Sequence, residues 1–264
     1  KPKWQEVYDN IRFPTDENGF SLSANHKARP MKHWSHLFQI YPYYLVNWEQ
    51  LENRDVILKS IEQWASPKIG KMWVQTGISS IYSSIRDGEK ALEYMNVALA
   101  TSYTSAWSSN FFSNTLHGEK NFNNPEWNPC SNVYGGLNRM LQDMLIQSWG
   151  DKIRIFPAVS KEWNDVVFHN LRAEGGFEIS AKRKDGKLKW VRIKNNAGGP
   201  CLIEAGFEEK FEITGGRMKK VDDGIYKIDI KKGEEAILYI NRADSFEVAP
   251  LKRISDEFNP YGLR

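Results

Sequence analysis

Residues 132–156, NVYGGLNRMLQDMLIQSWGDKIRIF, contain the point at which the hydrophobic period of the chain changes. Before Gly150, apolar side chains recur three and four positions apart, which predicts an amphipathic helix with Gly150 at its C′ position. These inward positions are Leu137, Met140, Leu141, Met144 and Leu145. After Gly150 the period falls to two, which predicts strands. The stretch therefore predicts two domains, a helical part at residues 1–150 and a β-rich part at residues 151–264.

Three earlier stretches show the same helical period. DVILKSIEQWA (residues 55–65) has Asp55 where an N-cap would fall. WVQTGISSIYSSIRDG (73–88) places Ile78, Ile81, Tyr82 and Ile85 on one stripe. EKALEYMNVALA (89–100) places Leu92, Met95 and Leu99 inward. Short links between amphipathic helices predict antiparallel helical hairpins, too few in this chain to close a large toroid. Either the other half of a toroid is missing from these residues, or the hairpins form a smaller bundle.

The second part predicts an antiparallel β-sandwich of about seven or eight short strands. Asp185-Gly186 separates two alternating runs, which is a strong hairpin signal. Gly215-Gly216 and Gly233 separate later runs. The polar tail from about residue 243 should run over the surface.

Composition narrows the classes of function. The chain has 264 residues, a formal charge of +3 and two cysteines, Cys130 and Cys201. This small charge predicts no nucleic-acid partner, and no apolar run is long enough to span a bilayer. The first residues, KPKWQEVYDN, carry neither an initiator Met nor a signal segment. The sequence therefore looks like a processed chain or a piece of a longer one, and we expect a further N-terminal part of the same protein. We also predict a secreted or periplasmic location, for which these residues show no signal.

Histidines and carboxylates are the candidates for chemistry. In KHWSHLFQIYP (32–42), His33 and His36 would share one face of a helix, as a metal clip requires. No third ligand accompanies them, so we predict neither metal nor cofactor. Most acids of the helical part, Asp143 among them, are expected on solvated faces or at caps. Glu126 differs because it lies in a Pro/Asn-rich loop before a helix, beside Trp127.

The tryptophans and two of the glycines can each be explained in two ways. Eight of the ten tryptophans precede residue 151, where large aromatics fill helical cores or stack on sugar rings. Gly135 and Gly136 fall in the first turn of a predicted helix, where each costs about 1 kcal/mol relative to Ala. Close approach of a ligand or of a neighbouring helix would account for them equally well.

Several of these segments together resemble glycoside hydrolase family 95, the α-L-fucosidase and α-L-galactosidase family. KHWSHLFQIYP resembles the family's H-R-H-x-S-H-L-x-x-x-Y-P segment, and the helix ending at Asp87-Gly88 is similar to another family segment. VYGGLNRMLQDMLIQS resembles N-F-G-G-x-x-G-I-x-E-M-L-L-Q-S. The resemblance covers about residues 30 to 205. It implies the later helical hairpins of an (α/α)6 barrel followed by an antiparallel β-sandwich, an α + β multidomain fold.

The resemblance carries site residues over only in part. The family's sugar-contacting Arg-His falls at Lys32 and His33, where lysine cannot form a bidentate contact. Its water-activating Asp falls at Ser131, and the neighbouring Asn at Val133. The family's general-acid Glu would belong to an earlier part of the barrel. The family's machinery is therefore incomplete in these residues.

The predicted function is that of a carbohydrate-active glycoside hydrolase acting on a poly- or oligosaccharide. Glu126 and Ser131 are the catalytic candidates. The substrate-binding candidates are Lys32, His33, Trp34, Trp73, Trp127 and Asn132. Two alternatives remain: a polysaccharide lyase that recruits His33, Asn132 and Tyr134, or a glycan-binding relative without catalysis.

Overall fold

The computed structural model describes residues 2–27, 34–65, 72–101, 131–243 and 246–248. The chain is of the α + β class: helices precede two sheets. The described helices are α1 (Pro2–Asn10), α2 (Arg54–Trp64), α3 (Met72–Ser84), α4 (Gly88–Thr101) and α5 (Ser131–Leu145). A short hairpin of β1 (Thr15–Asp16) and β2 (Gly19–Phe20) follows α1. None of the described helices is long and apolar enough to cross a membrane.

Helices α3 and α4 confirm most of the predicted hairpin. Asp87 accepts a hydrogen bond from the backbone N–H of Lys90 at 2.9 Å, so it caps the start of α4. The predicted stripe of α3, from Ile78 to Ile85, is buried. On α4 the prediction is wrong for Leu99, whose side chain is 45% exposed.

Two helix boundaries differ from the sequence prediction. Residues Ser35–Leu37 form a 3-10 turn rather than part of an α-helix. Another 3-10 turn, Leu51–Asn53, runs directly into α2, so Asn53 occupies the N-cap position and Asp55 lies in the first turn. The capping role predicted for Asp55 is therefore wrong.

Two five-stranded sheets follow α5. One has the order β10-β11-β8-β4-β3 and the other β5-β6-β7-β12-β9. Their strands are β3 (Ile146–Trp149), β4 (Lys152–Ile155), β5 (Val166–Ala173), β6 (Phe177–Lys184), β7 (Lys187–Asn195), β8 (Cys201–Glu204), β9 (Glu212–Thr214), β10 (Arg217–Asp222), β11 (Ile225–Asp229) and β12 (Glu235–Tyr239). Apolar side chains of both sheets form one hydrophobic cluster, separate from the cluster of the helical part.

The strand part corrects the sequence prediction at its beginning. Helix α5 ends at Leu145, and the next four residues are already strand β3. Gly150 and Asp151, with φ of 62° and 58°, form the two-residue turn between β3 and β4 rather than a helix C-terminus. Pairing across β3 and β4 stabilises these residues as strands, although their helical period continues to Gly150.

The turn predicted at Asp185-Gly186 is confirmed. Both residues have positive φ and connect β6 to β7, which pair along their whole length. The predicted sheet was purely antiparallel, and this is wrong at one place, where β4 and β8 pair in parallel. Parallel neighbours need a long crossover, and the residues between β4 and β8 supply it by forming three strands of the other sheet.

An ion cluster joins the helical part to the first sheet. The carboxylates are Glu49, from the segment before α2, and Glu204, at the end of β8. Arg86, Lys152 and Arg154 each contact both carboxylates. Arg154 is 1% exposed, and its guanidinium lies 3.5 Å from the centroid of the Trp149 ring. Because this cluster links residues far apart in sequence, it fixes the helical part against the sheet.

We expect this cluster to make folding stability depend on acid pH. Burial by itself would raise the pKa of Glu49 and Glu204. Hydrogen bonds and charge attraction from the cations of the cluster outweigh burial and hold both pKa values below the ordinary 4.5. A carboxylate with a lower pKa in the folded state stabilises the fold fully above about pH 4.5, and this contribution is lost as pH falls through the folded-state pKa. Urea unfolding between pH 6 and pH 3 should show this decline.

Glu204→Gln should make the free energy of unfolding fall less steeply between pH 6 and pH 3, because one of the two carboxylates with a lowered pKa is gone. The matched control is Glu208→Gln. The Glu208 side chain is 61% exposed, and its Oε2 lies 3.8 Å from Lys187 Nζ. A profile of Glu204→Gln as steep as that of the unchanged protein would contradict the role assigned to the cluster.

Candidate functional site

A cavity of about 310 Å³ opens between α3, α5 and the segment that precedes α2. This volume is at the lower end of the range usual for small-molecule sites. Its lining residues are Trp34, Tyr41, Thr76, Gly77, Ser80, Gly136 and Arg139. On α3, Ser80 lies one helical turn after the adjacent Thr76 and Gly77, and on α5, Arg139 lies one turn after Gly136. Each helix therefore presents one face to the cavity.

Two glycines allow the walls of the cavity to approach closely. A Cβ atom at Gly77 would lie 2.6 Å from the Trp34 ring, so this ring packs directly on the α3 backbone. A Cβ atom at Gly136 would overlap the Thr76 hydroxyl, so α3 and α5 come together at this point. Of the two explanations for glycine here, close approach of a neighbouring helix therefore holds for Gly136. Gly135 has no atom within 4 Å of an added Cβ, and the structure does not explain it.

A buried carboxylate on α5 contacts two of the side chains that line the cavity. Asp143 is 1% exposed. Its Oδ2 accepts a hydrogen bond from the Tyr41 hydroxyl at 2.7 Å, and its Oδ1 lies 2.8 Å from Arg139 Nε. Arg139 Nε also donates to the Tyr41 hydroxyl oxygen at 3.1 Å. Asp143 thus holds two cavity-lining side chains in place.

Burial sets the protonation state of these groups. It raises the pKa of Asp143, an effect that Arg139 and the hydrogen bonds from Tyr41 and Ser80 oppose. Burial and the nearby Asp143 also raise the pKa of Tyr41 and Tyr44. Both phenols are therefore neutral donors at neutral pH and cannot act as bases there.

Asp143 corrects the expectation that the acids of the helical part lie on solvated faces or at caps. It shares a buried face with Met140 and Met144, whereas Leu141, predicted to point inward, is 40% exposed. The available signal was its position four residues after Arg139, the spacing of a helical ion pair. That spacing alone does not tell a solvated pair from a buried one.

Of the predicted substrate-binding residues, Trp34 lies at the cavity. It is partly buried, and its ring centroid is 5.6 Å from that of Trp64. Trp73 lies in the first turn of α3, while Ser131 and Asn132 lie in the first turn of α5, but their side chains are outside the described part of the chain. Lys32, His33, Glu126 and Trp127 lie outside the described residues altogether.

His36 is buried behind the cavity rather than lining it. It is 7% exposed, and neither ring nitrogen forms a hydrogen bond with a described residue. Burial lowers its pKa, so the ring is neutral at neutral pH. Across the described ranges, no group of three or more His, Cys, Asp or Glu side chains could hold a metal ion.

A second cavity, of about 490 Å³, lies at the edge of the two sheets. Its charged lining residues are Asp151, Lys152, Glu174 and Lys227, and Lys152 already belongs to the ion cluster. Phe177, its aromatic residue, is 2% exposed and offers no ring face for stacking. The first cavity is therefore the better candidate for a sugar.

The chain thus combines a helical part, which carries a cavity with one aromatic and one cationic wall, with a domain of two mainly antiparallel sheets. Residues 147–238 match the family model described as glycoside hydrolase family 95, C-terminal domain. The match runs through both sheets, almost from β3 to the end of β12, and confirms the resemblance for this part of the chain. Over these residues the two sheets are similar to the C-terminal domain of that glycoside hydrolase family. No curated protein matches the sequence.

Proposed function

We propose that the protein is a fucosidase- or galactosidase-like glycoside hydrolase that acts on a poly- or oligosaccharide outside the cytoplasm. The observation that carries this proposal is the cavity of about 310 Å³ on the helices that lead directly into the family 95 domain. Trp34 offers an aromatic surface, and Tyr41 and Arg139 offer hydrogen-bond donors held by Asp143. An apolar ring beside a few fixed donors suits a sugar ring.

The proposed architecture is that of later hairpins of an (α/α)6 barrel followed by a β-sandwich. The short link between α3 and α4 and the close approach of α3 and α5 at Gly136 support hairpins packed side by side. The shared hydrophobic cluster of the two sheets supports the sandwich. In this proposal an earlier part of the same protein supplies further hairpins and the general acid.

Roles for the other candidates follow from their sequence positions. Lys32 and His33 would bind sugar hydroxyls, and Trp73 and Trp127 would add aromatic surfaces. Ser131 and Asn132 would lie at the pocket floor, in the first turn of α5. Glu126 is the proposed nearby carboxylate, because hydrolysis of a glycosidic bond usually needs a pair of them.

Trp34→Ala should lower kcat/KM by about fivefold in the full-length protein, because a lost aromatic contact is worth on the order of 1 kcal/mol. The measurement is release of reducing sugar from a panel of fucosyl and galactosyl glycans. Trp4→Ala is the matched control, since Trp4 is 79% exposed on α1. Folded protein that releases no sugar from any glycan would overturn the proposal. An unsaturated uronate product, seen by its ultraviolet absorbance, would indicate a lyase instead.

A glycan-binding protein without turnover is the second candidate. One observation favours it: none of the described residues that line the cavity is a carboxylate, and Asp143 is covered by Tyr41 and Arg139. Calorimetric sugar binding by the full-length protein, with no product after long incubation, would establish this function in place of hydrolysis.

A further inference from the structure

Arg139 is the one cationic side chain among the seven described residues that line the cavity. Its side chain is 55% exposed, so the guanidinium is open to a ligand. The remaining lining residues are tryptophan, tyrosine, threonine, serine and two glycines, none of them charged at neutral pH. Arg139 is therefore the one charged group among these described lining residues, and its buried partner Asp143 offsets part of its charge.

The structure also fixes the orientation of this guanidinium. Asp143 Oδ1 and the Tyr41 hydroxyl both contact Nε, at 2.8 Å and 3.1 Å. Because both of these contacts use Nε, the two terminal nitrogens keep N–H bonds for a ligand, with the Tyr44 hydroxyl as a further neighbour of the guanidinium. The carboxylate that holds the arginine is buried and does not line the cavity, so it offsets part of the guanidinium charge but would not contact a bound anion.

The two terminal nitrogens of the guanidinium form a planar fork of N–H donors, and such a fork discriminates between sugars. Two parallel N–H donors match two oxygens of a carboxylate or of a sulfate ester, whereas a single sugar hydroxyl offers one uncharged oxygen. Because the arginine is already oriented, binding costs less side-chain entropy than it would for a free arginine. The groups that face the guanidinium from the neighbouring segment are the Tyr41 and Tyr44 phenols, which burial keeps neutral.

We propose that this cavity takes a sugar unit that carries an anionic group, a carboxylate or a sulfate ester, and that Arg139 is the residue that determines this specificity. The inference rests on the proposed function and names the class of substrate for the same site. Asp143 is a positioning residue in it, because it acts through Arg139 and Tyr41 and does not itself line the cavity.

Calorimetric titration of the full-length protein with matched pairs of monosaccharides tests this. Galactose is compared with galacturonate, and fucose with fucose sulfate, so the two pairs separate carboxylate from sulfate recognition. We expect at least one anionic sugar to bind about tenfold more tightly than its neutral counterpart. This preference should shrink as salt is raised, because added ions screen the guanidinium.

Arg139→Gln should abolish the preference, and Arg139→Lys should keep only part of it, because lysine retains the charge but loses the fork. Arg172→Gln is the matched control, since the Arg172 side chain is 76% exposed on β5 and pairs with Glu178. Circular dichroism of each variant checks that it folds. If Arg139→Gln does not fold, two other results test the role of Arg139. The preference for anionic sugars should weaken with added salt, and it should be smaller in Arg139→Lys than in the unchanged protein.

The outcomes separate this inference from the proposed function. Equal binding of neutral and anionic sugars by the unchanged protein would overturn the inference and leave the proposed function standing. Absence of binding by every sugar would overturn both. A preference that survives Arg139→Gln would show that another residue reads the anion, and would overturn the role given to Arg139.

Discussion

Arg154→Met is expected to lower the free energy of unfolding by about 3 kcal/mol, as removal of one partner from a buried ion cluster does. Arg154 Nε donates to Glu49 at 2.9 Å, and its Nη1 donates to the carbonyl oxygens of Trp149 and Lys152 at 2.8 Å and 3.1 Å. Methionine would fill part of the space but leave those carbonyls and part of the Glu49 charge without a donor. Urea unfolding measures the change.

Arg217→Met is the matched control for that prediction. The Arg217 side chain is 89% exposed and pairs with Asp229 on the surface, so its loss should cost less than about 1 kcal/mol. If the two variants lost equal stability, the cluster would be no more than a set of surface ion pairs. In that case the helical part would be held to the sheet by apolar packing alone.

Gly215→Ala should lower the free energy of unfolding by a similar amount, about 3 kcal/mol. Gly215 has φ of 78° in the link from β9 to β10, a conformation that strains any residue with a Cβ atom. An added Cβ would also overlap the Glu235 carbonyl oxygen, which belongs to β12 and cannot move without disturbing that strand. Thermal and urea unfolding both report this change.

Gly233→Ala separates the two causes. Gly233 has φ of 84°, but no atom lies within 4 Å of an added Cβ, so only the backbone strain remains. We expect a loss of about 1 kcal/mol. Equal losses for both glycines would mean that the contact with β12 contributes nothing.

Local signals in the sequence predicted the elements that local physics determines. Asp185-Gly186 predicted a hairpin because Gly tolerates positive φ and Asp is among the residues favoured in such turns, and the hairpin is present. Asp87-Gly88 predicted the end of a helix, and the structure adds that Asp87 caps the start of α4. The resemblance to family 95 was likewise readable from ordered segments, and the family match confirms it for residues 147–238.

Long-range contacts determine the features that the sequence prediction missed. Residues 146–149 keep a helical period but pair as a strand, because β4 offers them a ladder of hydrogen bonds. The burial of Asp143 depends on Tyr41, which is 102 positions away in sequence. Charge and spacing within α5 are the same whether that helix faces water or a neighbour.

The sequence by itself determined that helices come before strands, the Asp185-Gly186 turn and the resemblance to a glycoside hydrolase family, because each depends on neighbouring residues or on short motifs. Only the tertiary structure decided which of the acids is buried, which arginine faces the cavity and which side chains join the helical part to the sheets. The physical reason is that burial and ion pairing depend on residues brought together from distant parts of the chain, and no local pattern encodes that approach.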